Sequence, residues 1–96
     1  MTPEHFIAQF DKYAKEIYDS NIPEAKEGSK GTILAMTSFM GDLYAKQGII
    51  NSRIKELLSN ILTEAAAQGI DIEELEGQLT KIALRHHGEW IKTHKP

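Results

Sequence analysis

The stretch TILAMTSFMGDLYAKQ, residues 32–47, limits the folds open to this chain more than any other. At about 100° per residue, Ile33, Leu34, Met36, Phe39, Met40, Leu43 and Tyr44 spread over well over half of a helical wheel, while Ala35, Asp42 and Lys46 point the other way. An ordinary amphipathic helix carries one apolar stripe of roughly 100°, about half as wide. Such a helix needs walls on more than one side, so it is predicted to be the central and most buried helix of the fold. Its bulky side holds Met36, Phe39, Met40 and Leu43; a smaller side, around Leu34, holds Thr37, Ser38, Gly41 and Ala45. Gly41 weakens a helix where it stands, which suggests that another helix approaches closely there.

The flanking segments supply the walls. Thr2 before Pro3 reads as an N-cap with proline at the first helical position, and Phe6, Phe10, Tyr13, Ala14 and Ile17 recur at helical spacing, which predicts a helix over about 3–19. On its polar side Asp11 and Lys15 form an acid-before-base pair four residues apart, a solvated face. In SNIPEAKEGSKG, residues 20–31, Pro23 bars a continuous helix and leaves room for a short helical turn at 23–27. Gly48 stands where a left-handed C-terminal residue would end the helix over 32–47, and Asn51 or Ser52 would cap the next, over 51–68. That helix shows Ile50, Ile54, Leu57, Leu58, Ile61, Leu62 and Ala65 on one stripe and ends at Gln68, with Gly69 as its C-terminal glycine. Asp71 with Glu74 forms a capping box, with Ile70 and Leu75 as its hydrophobic staple, opening a last helix over 72–92. The expected fold is therefore all-α: a compact four-helix domain spanning 1–96, with its second helix central.

Composition narrows the function classes. Two cores would each be too small to bury enough surface in 96 residues, so one domain is expected, of modest stability unless a partner shares it. No apolar run approaches the roughly 18 residues that span a bilayer. MTPEHFIAQFDKYAK shows no basic leader followed by an apolar block, which makes the cytoplasm the expected compartment. The chain has no cysteine, so disulfides, thiolate metal sites and cysteine nucleophiles are excluded. A net charge of -3 argues against a nucleic-acid surface taken over the whole chain.

Several motifs carry a possible chemistry and a plainer explanation. The spacing of Ala65, Gly69, Ile70 and Leu75 imitates a helix-turn-helix, but its second helix would enter the major groove with Asp71, Glu73, Glu74 and Glu76, which phosphates repel. Those acids suit a helix N-terminus through its dipole. Lys30, Gly31 and Thr32 resemble a fragment of an anion-binding loop, without the spacing or the strand of a P-loop; a loop ending in Thr32 as N-cap explains them too. His86, His87 and His94 lack a carboxylate or fourth ligand at a recognised spacing, so no metal site or other cofactor is expected. His86 reads as a boundary residue with one ring nitrogen hydrogen-bonded, and His87 and His94 as solvated. No carboxylate falls within an apolar stripe where burial would raise its pKa, so no catalytic residues are assigned and the chain is not expected to be an enzyme.

What remains is a surplus of apolar surface. Leu84 and Ile91 form a second strip on the last helix beside Trp90, and together with Phe39 and Met40 they make up the expected interface. The function read from the sequence is a non-catalytic protein–protein interaction or regulatory protein acting as a homodimer, since two-fold pairing is the common way to cover such patches. Two alternatives belong to other classes. One is a nucleic-acid-associated regulator using Lys81, Arg85, Lys92 and Lys95; the other is a domain binding a small ligand between helices near Met36, Met40 and Trp90.

Overall fold

The computed structural model describes residues 2–24 and 32–93, with the side chains of the second stretch from Met36 onward. These residues form three helices, α1 (Pro3–Asp19), α2 (Thr32–Ala67) and α3 (Ile72–Thr93), and no strand. The all-α reading holds. The count of four helices does not, because the helices expected over 32–47 and 51–68 are one element of 36 residues.

Gly48 fails to end α2 because it does not take the left-handed conformation; among the described residues only Gly69, at φ 76°, does. Keeping glycine inside a helix costs about 1 kcal/mol relative to alanine. Continuing the helix carries Ile50 into the core beside Tyr18 and Trp90, where it is completely buried. Burying such a side chain is worth about 1.5–3 kcal/mol, so continuation wins. At Gly69 the balance reverses. The Ile70 N–H donates to the Ala65 carbonyl at 3.1 Å and the Gly69 N–H to that of Ala66 at 3.0 Å, the pairing of a Schellman cap, and Ile70 folds onto the core.

The other ends follow their local chemistry. Thr2 is extended, Pro3 opens α1, and the first turn closes through the His5 N–H on the Thr2 carbonyl at 3.1 Å; the Thr2 hydroxyl makes no cap bond. Asp71 Oδ1 accepts the Glu73 N–H at 3.1 Å at the start of α3. The reciprocal half of the capping box, from Glu74, is absent among the described residues. Of the helical turn expected at 23–27, Pro23 and Glu24 are irregular and the rest lies outside the described residues.

Phe6, Phe10, Ala14 and Tyr18 recur every fourth residue and give α1 one buried edge. Phe6, Phe10 and Ala14 meet Ile61 and Ala65 of α2 and Leu75 and Leu79 of α3; further along, Tyr18 meets Ile50 and Trp90. Thus α1 and α3 run the same way and α2 runs against both. At about 1.5 Å per residue α2 is ~54 Å long, close to the full 56 Å of a molecule only 18 Å by 17 Å across. α1, with 17 residues, and α3, with 22, reach only ~25 and ~33 Å.

The shorter helices cover the C-terminal half of α2 and stop near Tyr18, Ile50 and Trp90, with Leu43 partly packed against that end. Some ten residues of α2, ~15 Å, project beyond. The expectation that residues 32–47 form the most buried helix is therefore overturned: no side chain from Met36 to Gln47 is fully buried. A wide apolar arc calls for neighbours, and among the described residues neither α1 nor α3 reaches that far. Gly41 meets nothing within 4 Å of the place a Cβ would take, so it marks no close helix approach.

Candidate functional site

Three features compete for a functional role. The first is the overhang of α2. Met36 is 48% and Tyr44 67% exposed, and Phe39 and Met40 are half-buried. Its charged pair, Asp42 and Lys46 at 3.1 Å, lies on the opposite face from Met40 and Tyr44 by helical count. The Asp42 carboxylate also accepts the Glu24 N–H at 2.7 Å, tying the connection after α1 to α2; that bond, and then the one from Lys46, hold its pKa below the ordinary value.

The second is an open groove between α2 and α3. One section, of about 380 Å³, is bounded by Asn51 and Leu58 of α2 and by Thr80, Ala83 and Leu84 of α3, with Phe10 and Leu79 in its floor. The next, of about 480 Å³, continues from Leu58 to Leu62, Ala66 and Ile72. Lys55 and Leu58 belong to both, so the groove runs along most of the covered half of α2. Leu84 stands 65% exposed on its α3 rim.

The third is a polar and aromatic cluster joining all three helices. Asp11 Oδ1 lies 2.6 Å from His86 Nε2 and 2.7 Å from an Arg85 guanidinium nitrogen. Asp11 thus ties α1 to α3, and the solvated pair expected with Lys15 is corrected: Lys15 turns to Asp19, at 2.6 Å. His86 has the one hydrogen-bonded nitrogen expected of it. His87 is not the solvated residue its position suggested, since it is half-buried with Tyr18 Oη at 3.4 Å from Nδ1, the Gln47 amide at 3.4 Å from Nε2, and its ring stacked on Trp90 at 6.2 Å. The Trp90 indole N–H donates to the Asn21 carbonyl at 3.0 Å. Burial pushes the Tyr18 phenol above its ordinary pKa. These contacts hold rings in place between helices, and each histidine ring has its own partners: Asp11 for His86, and Tyr18 and Gln47 for His87.

The residues expected to form an interface are thus separated. Phe39 and Met40 lie on the overhang, Leu84 on the groove rim, and Ile91, 38% exposed, further along α3. Trp90, 3% exposed, is taken up by the core beside Tyr18. Among the described residues the two larger open cavities lie along α2 and α3; in the Met36, Met40 and Trp90 region where a ligand was expected, a pocket of about 170 Å³ lies against Trp90, Tyr18 and His86. In the basic C-terminal set, Arg85 is engaged by Asp11, Lys81 and Lys92 are exposed, and Lys95 and His94 lie outside the described residues. Of the anion-loop residues, Lys30 and Gly31 lie outside them too, and Thr32 is the first residue of α2. Among the described residues no group of three His, Asp or Glu side chains could hold a metal ion, and no helix is long and apolar enough to cross a membrane. The groove had no local signature in the sequence, because it arises from how far apart α2 and α3 lie. Compared with models of known families, with curated proteins and with solved structures, the chain matches none.

Proposed function

We propose that this is a non-catalytic protein–protein interaction protein that acts as a homodimer, with the overhang of α2 as its contact surface. The observation that carries this reading is the projection of Met36, Met40 and Tyr44 beyond the ends of the helices that cover the rest of α2. The extent of the molecule agrees with it. A compact 10.8 kDa protein exposes roughly 5,500 Å², and this chain exposes 6538 Å². The surplus, about 1,000 Å², is of the size that one partner contributes to a specific interface, ~800 Å². The radius of gyration, 16.4 Å against roughly 12.5 Å for a compact domain of this length, reflects the same projection.

Light scattering on a gel-filtration column at tens of micromolar tests the proposal. The expected mass is twice 10.8 kDa, and Met40→Glu returns it to 10.8 kDa while Asp42→Ala, on the opposite face, leaves the dimer intact. A wild-type protein that runs at the monomer mass sinks the reading.

A further inference from the structure

We infer that the partner surface is the groove: the α2 overhang of one copy lies antiparallel in the α2/α3 groove of a second copy, and the second copy's overhang lies in the groove of the first. This rests on the homodimer reading and adds the surfaces and the register.

The first argument is continuity. At about 100° per residue, Met36, Met40, Tyr44, Asn51, Leu58 and Leu62 fall within one strip of α2 roughly 80° wide. The strip runs from the overhang into the wall of the groove. One face of one helix therefore offers both halves of the contact, as an isologous interface requires. The second is length. The α2 wall of the groove, from Gln47 to Ala66, is ~29 Å long, enough to take the whole ~15 Å of projecting helix. A two-fold axis through the midpoint of α2, between Ile49 and Ile50, seats each overhang in the opposite groove.

The third argument is chemical. Neither Asp42 nor Lys46 lies on the strip, so seating the overhang buries no charge of its own. In this register Met40 meets Ser59 and Leu62 of its mate, and Tyr44 faces Lys55 in the section of the groove rimmed by the exposed Leu84. The stem of that lysine covers apolar surface while its ammonium reaches the ring. Gln47 and Asn51 come to the axis, where buried amides fix the register of paired helices. The occupant is thus a second copy, with the surplus area already matched to such a pair.

Because the chain has no cysteine, introduced thiols report the register directly. The variant Tyr44→Cys/Lys55→Cys replaces two exposed residues that lie ~16 Å apart within one chain, too far for an internal disulfide, which needs Cα atoms within about 7 Å. Mild oxidation should convert most of it to a covalent dimer that a reductant reverses, while Tyr44→Cys alone and Lys55→Cys alone stay monomeric on a denaturing gel. Met40→Cys alone separates the main rival: two Met40 positions stand roughly 28 Å apart along the axis in the reciprocal pair, and touch if overhang packs on overhang. Covalent dimer from Met40→Cys, or none from the double variant while light scattering still reports a dimer, overturns the reciprocal arrangement and leaves self-association standing. A monomeric mass for the wild type overturns both. A second pair, Met40→Cys/Ser59→Cys, repeats the test one helical turn along.

Discussion

Asp11 on α1 and His86 on α3, 75 residues apart in sequence, meet at 2.6 Å between Oδ1 and Nε2, and the histidine side chain is only 10% exposed. The contact places a hydrogen on Nε2, which donates to the carboxylate. The same oxygen takes Arg85, whose side chain is 54% exposed. Exposure decides which bond matters: ion pairs in water are worth about 0–1 kcal/mol, whereas a shielded group left without its partner costs about 1–3 kcal/mol. Asp11→Ala should therefore lower stability by about 1–2 kcal/mol and Arg85→Ala by about 0.5 kcal/mol or less. A double-mutant cycle in urea should give a clearly larger coupling for Asp11 with His86 than for Asp11 with Arg85; equal couplings would show that burial of the ring contributes nothing.

The two glycines at 48 and 69 should respond in opposite ways. Gly48 sits inside a helix with open space around the position of a Cβ, so Gly48→Ala should stabilise by up to about 1 kcal/mol. Gly69 has φ +76°, where a side chain is strained even in open space, so Gly69→Ala should destabilise by about 1–2 kcal/mol. Thermal melts of the two variants beside the wild type check both signs. A Gly48→Ala variant that melts lower would mean that α2 is broken there.

The contrast between these glycines also shows where sequence reading reaches and where it stops. The periodicity of Phe6, Phe10 and Ala14, the apolar stripe through Ile54, Ile61 and Ala65, and the boundary at Gly69 and Asp71 were all legible, because each depends on neighbours within one or two turns. Gly48 looks the same as Gly69 locally. What separates them is Ile50, whose place in the core depends on Tyr18 and Trp90 from other helices. The same holds for the site. The apolar character of Met36, Met40 and Tyr44 was plain, but whether it is covered depends on how far α1 and α3 reach. The pairing of Asp11 with His86 and the enclosure of His87 are likewise contacts between helices, which no spacing rule along one helix contains.

Exposure, not hydrophobicity, should rank the apolar residues by their effect on the folded protomer. Phe10 is completely buried, touching the core from α1, and Phe10→Ala should cost about 3–5 kcal/mol. That is a large share of the stability of a domain this small. Met36, equally apolar, should give within about 0.5 kcal/mol when changed to Ala and measured at concentrations low enough to avoid association. Urea titrations followed by circular dichroism distinguish the two, and a comparable loss for both would place Met36 in the protomer core.

Acid should loosen the join between the α1–α2 connection and α2. Asp42 binds the Glu24 N–H and Lys46 as a carboxylate, and these bonds depress its pKa in the folded state below the ~3.9 of an unfolded chain. A depressed folded pKa means that the unfolded state takes up the proton first as pH falls. The stabilisation from Asp42 is then fully present above about pH 5 and disappears as pH drops through about 4 toward the lower folded value. Asp42→Ala should accordingly melt below the wild type by a nearly constant margin from pH 7 down to about 5, with the two curves converging in stronger acid. Measured against the intrinsic exchange rate at each pH, the Glu24 amide should lose protection in the variant at neutral pH, and in the wild type only after acidification. A margin that persisted unchanged into strong acid would assign the effect of residue 42 to packing and not to its charge.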